Sequence, residues 1–135
     1  MLLLNSNVSM LENELCKSIM QMDDHIRFVA IIDEKGRVEE SQGFNSIIEK
    51  LSNTRKEMFF MENALVYRMR KEFDKELGKV GFSYLEIARR GLISFPMDEQ
   101  LLLVFFLRTH VNSITLAKNI IRLIRKYKKK LVNLP

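Results

Sequence analysis

The sequence is poor in the residue types on which many protein chemistries depend. Its 135 residues include one cysteine, Cys16, two histidines and no tryptophan. A single cysteine excludes an internal disulfide and a thiolate metal cluster. His25 and His110 lie far apart, outside any HxxxH or HExxH spacing, and no GxxxxGK[ST], GxGxxG or GxSxG occurs. We therefore expect no metal, no cofactor and no catalytic residues.

Long hydrophobic runs are also absent. No apolar stretch approaches the roughly 18–20 residues that cross a bilayer. Residues 1–4 are apolar, but no basic residue precedes them, as one would in a signal peptide. The sequence therefore predicts a cytoplasmic protein. Its length suits one domain, which we place at residues 9–127, between a frayed N-terminus (1–8) and a basic C-terminal tail (128–135).

Acidic residues are missing from the end of the chain. No Asp or Glu follows Glu99, whereas eight of the 22 Lys and Arg residues do. The first 99 residues therefore hold 14 bases against 17 acids and carry a net charge of −3, although the whole chain carries +5. The basicity belongs to the C-terminal segment.

Seven basic residues of this segment are candidates for binding an anion: Lys118, Arg122, Arg125, Lys126, Lys128, Lys129 and Lys130. They could contact nucleic-acid phosphates, or anionic lipid with Leu131, Val132 and Leu134 as a shallow anchor. The favoured interpretation is a solvated helix face, whose cations offset the helix dipole. Base-specific readout is not expected, because no aromatic platform or recognition-helix motif accompanies the charge.

Residues 101–107 form the most apolar stretch, LLLVFFL. A strand with one wet face would alternate apolar and polar residues, and this stretch does not. It is also too short for a helix that is buried on all sides. We therefore predict that it is the central strand of a sheet that helices cover on both faces.

The other elements follow from periodicity and end signals. Capping boxes at residues 9–12 and 54–57 predict helices over about residues 10–22 and from residue 54 to Gly78. Four further strands are predicted at residues 26–33, 38–43, 82–89 and 92–95. Residues 45–51 could be a helical turn or a loop. Asn112 and Ser113 are candidate N-caps of a final helix.

The order of these elements predicts an α+β fold with one five-stranded antiparallel sheet. Short hairpins join strands one and two, three and four, and four and five, so these neighbours run antiparallel. Placing strand five beside strand one gives the order 2-1-5-4-3. The two most apolar strands then lie at the centre and the polar second strand at an edge, so pattern and topology agree.

With this order and burial pattern, residues 9–127 resemble the roadblock/LC7 group of the profilin-like folds. The segments IRFVAIIDEKGRV and GLISFPMDEQLLLVFFL are also similar to small uncharacterised archaeal proteins of this build. The resemblance implies that the first and last helices cover one face of the sheet and the long helix the other. It also implies a non-enzymatic homodimeric scaffold or regulator of a signalling or small-GTPase complex. The implied interface involves Tyr67, Arg68, Lys71 and residues 82–88, in particular Phe82, Tyr84 and Glu86.

A stripe of apolar residues runs along the long helix: Met58, Met61, Leu65, Met69, Phe73 and Leu77. We favour core packing for this stripe, with an adaptable methionine-rich binding surface as the alternative.

The alternative fold is PAS-like, and the protein would then be a small-molecule sensor. Phe59, Tyr84 and Phe95 would line its cavity. Cys16 is expected to pack, and the pair Asp23 and Asp24 to form a turn or cap, although carboxylates could also bind a cation or serve as acid and base.

Overall fold

A computed structural model describes residues 2–43 and 47–135, and residues 2–5 by their backbone alone. The helices are α1 Leu2–Met20, α2 Asn53–Lys71, α3 Asp74–Leu77 and α4 Ser113–Val132. The strands are β1 Ile26–Ile32, β2 Val38–Gln42, β3 Ser83–Ile87, β4 Arg90–Met97 and β5 Gln100–Leu107. The segment predicted as a helical turn or loop, residues 45–51, lies partly outside the described residues.

The five strands form one antiparallel sheet in the order β2-β1-β5-β4-β3, which confirms the prediction. β5 is central, because Val104 pairs with Val29 of β1 on one side and with Ile93 of β4 on the other. Six consecutive residues of β5 are buried. The run is apolar throughout because helices cover both faces of this strand, as we predicted from the sequence.

Two hydrophobic clusters lie on the two faces of the sheet. On one face, α1 and α4 pack through residues such as Leu15 and Ile120. On the other face, α2 packs through Phe60 and Ala64. This three-layer arrangement is the predicted one, with the terminal helices on one side and the long helix on the other.

The β1–β2 turn lies directly against the backbone of α2. Gly36 in this turn has a φ of +85°, a conformation that side chains rarely adopt. A Cβ built on Gly36 would lie 2.7 Å from the Met61 Cα and 2.8 Å from the Phe60 carbonyl carbon. Glycine therefore permits both the turn and the close approach of the hairpin to the helix.

Two predicted helix starts were wrong. The first helix begins at Leu2, and residues 2–8, which we expected to be frayed, form its first turns, in line with the high helix propensity of leucine. Ser9 is therefore inside a helix and is not its cap. α2 is capped by Ser52 instead of Thr54, and the Ser52 Oγ accepts a hydrogen bond from the Arg55 N–H at 3.2 Å.

The predicted ends of two helices were also wrong, whereas one cap was confirmed. α2 ends at Lys71, and the short α3 follows it before Gly78. α4 continues through the predicted tail to Val132, because its lysines and Leu131 favour helix. The predicted N-cap Asn112 is confirmed, since its Oδ1 accepts a hydrogen bond from the Thr115 N–H at 3.0 Å. No helix in the described part of the chain is both long and apolar enough to span a bilayer.

Candidate protein interface

α2 has two apolar faces, and only one of them packs on the sheet. Phe60 and Ala64 are buried in the cluster beneath α2. Met58, Met61, Leu65 and Met69 are exposed by 55%, 56%, 49% and 60%, and we name these four the outer stripe. The interpretation of this stripe as core was therefore wrong, and the alternative, an exposed methionine-rich surface, describes it.

Helix geometry explains the two faces. At about 100° per residue, the four members of the outer stripe fall within an arc of about 80°. Phe60 and Ala64 lie about 120° from Leu65, on the side of the sheet. The apolar surface continues past the end of α2, because Phe73 and Leu77 are also exposed. An exposed apolar patch that charged residues surround is typical of a protein-binding surface.

A shallow depression of about 650 Å³ includes three of the four stripe residues. Charged side chains line its rim: Lys35, Arg55, Glu62 and Arg68. Methionine side chains are flexible and polarizable, so they adapt to the shape of a binding partner. The depression therefore has an apolar floor and a charged rim, as protein interfaces have.

β3 offers a second binding feature beside α2. It pairs with β4 on one side only, so its other edge carries unpaired backbone groups, and all five of its residues are exposed. Leu85 of β3 and Val66 of α2 line a groove of about 230 Å³, whose floor includes Leu92 and Leu101. Glu62 borders both this groove and the depression over the outer stripe. The outer stripe, the groove and the β3 edge therefore form one continuous surface.

The predicted interface residues of α2 point in two directions. The Tyr67 hydroxyl and the Lys71 ammonium each donate a hydrogen bond to the Asp98 carbonyl oxygen, both at 3.3 Å. The Lys71 Nζ also lies 4.9 Å from the centre of the Tyr67 ring. These two residues therefore bind α2 to the β4–β5 turn through hydrogen bonds. Arg68 is exposed beside the outer stripe.

The predicted interface residues near β3 face the layer of α1 and α4. Phe82 packs against the cluster on that side. The Tyr84 ring stacks on Phe106 at 6.2 Å between ring centres. The Glu86 carboxylate lies 3.4 Å from the Arg108 Nε. These contacts hold β3 to the sheet while its outer edge stays open, and a direct role of the three residues in an interface stays a prediction.

The residues predicted to line a PAS-like cavity do not meet. Phe95 lies on the side of α1 and α4, where its ring centre is 6.3 Å from that of Phe82, and Tyr84 faces the same layer. Phe59 lies on the opposite side of the sheet and packs edge-on against Phe60 of α2. The sheet itself separates the three side chains, so this cavity prediction was wrong.

The seven predicted anion-binding residues all lie on α4, and the helix separates them into groups. Lys118, Arg122, Arg125 and Lys129 are exposed and fall within an arc of about 60°. We name these four the basic stripe. Lys126 lies beside the stripe, towards α1. The Lys130 Nζ lies 3.6 Å from a Glu14 carboxylate oxygen. Lys128 lines a pocket with Asp98 and Glu99.

The residues considered for catalysis or metal binding have structural partners. Asp23 accepts hydrogen bonds from the His25 backbone N–H at 2.8 Å and contacts the His25 Nδ1 at 2.7 Å. These contacts, the backbone one first, lower the pKa of Asp23 and support the predicted turn. Burial raises the pKa of the Cys16 thiol to about 12, so the thiol packs and does not react. Within the described ranges, no group of three His, Cys, Asp or Glu residues could hold a metal ion.

One buried carboxyl was not anticipated from the sequence. Glu12 of α1 is buried, and its Oε2 accepts a hydrogen bond from the Gln100 Nε2 at 2.8 Å. Burial raises the pKa of Glu12, the hydrogen bond from Gln100 lowers it, and the nearby charges of Glu39 and Glu40 raise it further. The Tyr127 hydroxyl on the same side of the sheet is buried and has no hydrogen-bond partner among the described residues. The hydrogen bond between Glu12 and Gln100 joins α1 to β5.

Solved structures with this architecture define the class of fold. The roadblock/LC7 domain from Streptomyces avermitilis has a TM-score of 0.68 and 14% identity, covering 90% of this chain and 98% of that one. Myxococcus xanthus MglB has a TM-score of 0.71 and 16% identity, covering 92% and 89%. A structure described as MglB with a tetrameric arrangement has a TM-score of 0.58 and 16% identity, covering 84% and 88%. The chain therefore has a roadblock/LC7 fold.

Within this class, the chain belongs to the family of unknown function DUF6659, which matches residues 5–135. No curated protein shows significant sequence similarity to it.

Proposed function

We propose that the protein is a non-enzymatic interaction module that forms a homodimer through the outer stripe of α2 and the edge of β3. The dimer acts as a scaffold or regulator in a signalling complex that includes a small GTPase. The observation that carries this proposal is the outer stripe, because four large apolar side chains are exposed on a helix whose other face already packs on the sheet.

The outer stripe is nearly symmetric along the chain. Met61 and Met69 lie four residues before and after Leu65, so a two-fold axis near Leu65 brings Met61 of one copy against Met69 of the other. A two-fold interface is isologous, which means that the same patch must complement itself. The stripe meets this condition, and the charges on its rim have both signs, with Glu62 and Arg68 each three residues from Leu65.

The free edge of β3 supports the same contact. An exposed strand edge pairs readily with a second chain, and natural proteins usually protect it. Leu85 beside this edge is 55% exposed, so pairing would also cover an apolar side chain. One solved structure of MglB has a tetrameric arrangement, which is a precedent for assembly in this fold.

Light scattering coupled to size-exclusion chromatography at tens of micromolar tests the homodimer. The unaltered protein is expected to have the mass of a dimer, and Leu65→Asp the mass of a monomer with an unchanged circular dichroism spectrum. Ile114→Asp on α4 is the matched control, because Ile114 is also a highly exposed apolar residue and lies outside the proposed interface. A monomeric unaltered protein, or equal dissociation by both variants, would contradict the homodimer.

The small GTPase in this proposal follows from the resemblance to the roadblock/LC7 group. Calorimetric titration of the dimer with small GTPases from the same organism, loaded with GDP or with a GTP analogue, tests it. We expect saturable binding by one of them and a difference between the two nucleotides. Absence of heat with every GTPase, while the protein remains dimeric, would remove the GTPase and leave the homodimer.

A further inference from the structure

The basic stripe of α4 is an exposed cationic surface, and its four residues form no ion pair with other residues that the structure describes. In the part of the chain that the structure describes, the ion pairs are His25–Asp23, Arg108–Glu86 and Lys130–Glu14, and none of them includes a stripe residue. The Arg122 side chain donates a hydrogen bond to the Asn119 Oδ1, which is neutral. Among the described residues, the four stripe cations therefore form no ion pair, and they are exposed along about 16 Å of helix.

An exposed apolar residue lies at each end of the basic stripe. Ile114 near the start of α4 is 60% exposed, and Val132 at its end is 83% exposed. Because they are 18 positions apart, the two side chains leave the helix in the same direction, within about 40° of Lys118. They are separated by about 27 Å along the axis. The outward face of α4 therefore has a cationic centre and an apolar residue at both ends.

We propose that this face of α4 binds an anionic phospholipid surface. The basic stripe would contact the headgroups, while Ile114 and Val132 insert at the boundary between headgroups and acyl chains. The opposite face of α4 is packed on the sheet through residues such as Ala117 and Ile120, so the helix binds at the surface without entering the bilayer more deeply.

The composition of this face favours a lipid surface over nucleic acid. Base stacking on single strands needs aromatic side chains, and the aromatic residue of α4, Tyr127, is buried. Exposed aliphatic residues at both ends of a cationic helix add nothing to phosphate binding, whereas they strengthen attachment to a bilayer. Two aliphatic side chains and four cations on one arc therefore fit lipid better.

The location of α4 keeps this face accessible. α4 lies with α1 on one side of the sheet, and α2 lies on the other side. A dimer formed through α2 would leave both copies of the basic stripe exposed. The proposal does not depend on the dimer, since a monomer has the same face.

Co-sedimentation with vesicles of phosphatidylserine and phosphatidylcholine tests the proposal. We expect salt-sensitive binding to these vesicles and none to vesicles of phosphatidylcholine alone. Each cation near an anionic membrane strengthens binding by about fivefold. Replacing the four residues of the basic stripe with glutamine is therefore expected to weaken binding by about 100-fold or more.

A second variant with the same net charge controls for non-specific attraction. It carries Arg37→Gln, Lys50→Gln, Lys75→Gln and Lys79→Gln, four exposed positions outside α4 and outside the proposed dimer interface. We expect this variant to bind vesicles almost as well as the unaltered protein. Equal weakening by the two quadruple variants would contradict the proposal, because total charge alone would then explain binding.

Two further results decide between a lipid surface and nucleic acid. Ile114→Ser together with Val132→Ser is expected to weaken vesicle binding several-fold and to leave any attraction to an oligonucleotide unchanged. Unchanged vesicle binding by this double variant would contradict apolar insertion. Tighter binding of a single-stranded or double-stranded oligonucleotide than of the vesicles, measured by fluorescence anisotropy at the same salt concentration, would overturn the proposal in favour of nucleic acid.

Discussion

Phe105 and Phe106 are adjacent in β5 and belong to different hydrophobic clusters on opposite faces of the sheet. Phe105 packs in the cluster beneath α2, and Phe106 packs in the cluster beneath α1 and α4. Both side chains are almost fully buried. This pair shows why β5 is apolar without alternation: each residue from Leu101 to Phe106 contributes to one of two cores.

Replacing either phenylalanine with aspartate is expected to prevent folding. Removal of a buried phenylalanine costs about 3–5 kcal/mol, and an unpaired buried carboxylate adds a further penalty. The sum approaches the total stability of a typical domain, about 5–15 kcal/mol. Circular dichroism and urea titration of Phe105→Asp and Phe106→Asp measure this. A cooperative unfolding transition near that of the unaltered protein in either variant would contradict the assignment of β5 as the central strand.

Gly36→Ala is expected to destabilise the protein by about 2–5 kcal/mol, the sum of left-handed backbone strain and overpacking against α2. Gly78→Ala is the matched control. Gly78 also has a positive φ of +90°, with a ψ of 169°, and a Cβ there would meet no atom of the described residues within 4 Å. The control is therefore expected to lose only the backbone strain of this glycine-favouring conformation, about 1–3 kcal/mol. Urea denaturation of both variants gives the difference, and equal losses would show that the hairpin does not press on α2.

Glu12→Gln is expected to stabilise the protein at neutral pH. The pKa of Glu12 is raised in the folded state above its ordinary value of 4.5, so its charged form opposes folding at neutral pH. This cost disappears as the pH falls through the folded-state pKa, because the folded protein binds the proton more tightly than the unfolded chain. Glutamine removes the charge and keeps an acceptor for the hydrogen bond from Gln100.

Thermal melts at a series of pH values test this prediction. The advantage of Glu12→Gln over the unaltered protein should be largest near pH 7 and should vanish at about pH 4.5 and below. Glu14→Gln provides the control on the exposed side of α1, where its pair with Lys130 is worth little. A constant difference across the pH range would show that the charge of Glu12 is not the cause.

The sheet could be predicted because its signals are local and redundant. The unbroken apolar run of β5, the hairpin turn at Gly36 and the polar β2 each favour one topology, and the structure has that topology. Helix ends were less predictable. The sequence around Ser9 satisfies a capping box, but α1 continues back to Leu2 through residues 5–8, whose helix propensities are low.

The orientation of α2 could not be predicted from periodicity alone. The outer stripe has the spacing of a core-facing helix, and so do Phe60 and Ala64 on the other side. A pattern with two apolar faces shows that one face needs another partner, but it does not show which face packs on the sheet. In the structure, Phe60 and Ala64 pack against the sheet, so theirs is the buried face of α2. The number of apolar residues in α2 exceeds what one helix face can hold. This excess was the sequence signal that α2 has a second apolar face.

The accessible surface beside β3 was predicted only in part. The resemblance pointed to residues 82–88, and the three singled out from them, Phe82, Tyr84 and Glu86, alternate along the strand and face the layer of α1 and α4. Leu85 lies on the opposite strand face, in the groove beside α2. The alternation of side chains along a strand separates the two sets, but the sequence does not reveal which set borders α2.

The most direct test of the homodimer uses a cysteine on the proposed two-fold axis. Leu65→Cys places a thiol where a residue meets its own copy, within reach of a disulfide. Cys16, the one native cysteine, is buried and has a raised pKa, so it does not compete. Mild oxidation of Leu65→Cys is expected to give a disulfide-linked dimer on non-reducing gels, whereas Ile114→Cys stays monomeric. A Leu65→Cys protein that stays uncrosslinked, or an Ile114→Cys protein that crosslinks equally, would contradict a dimer through α2.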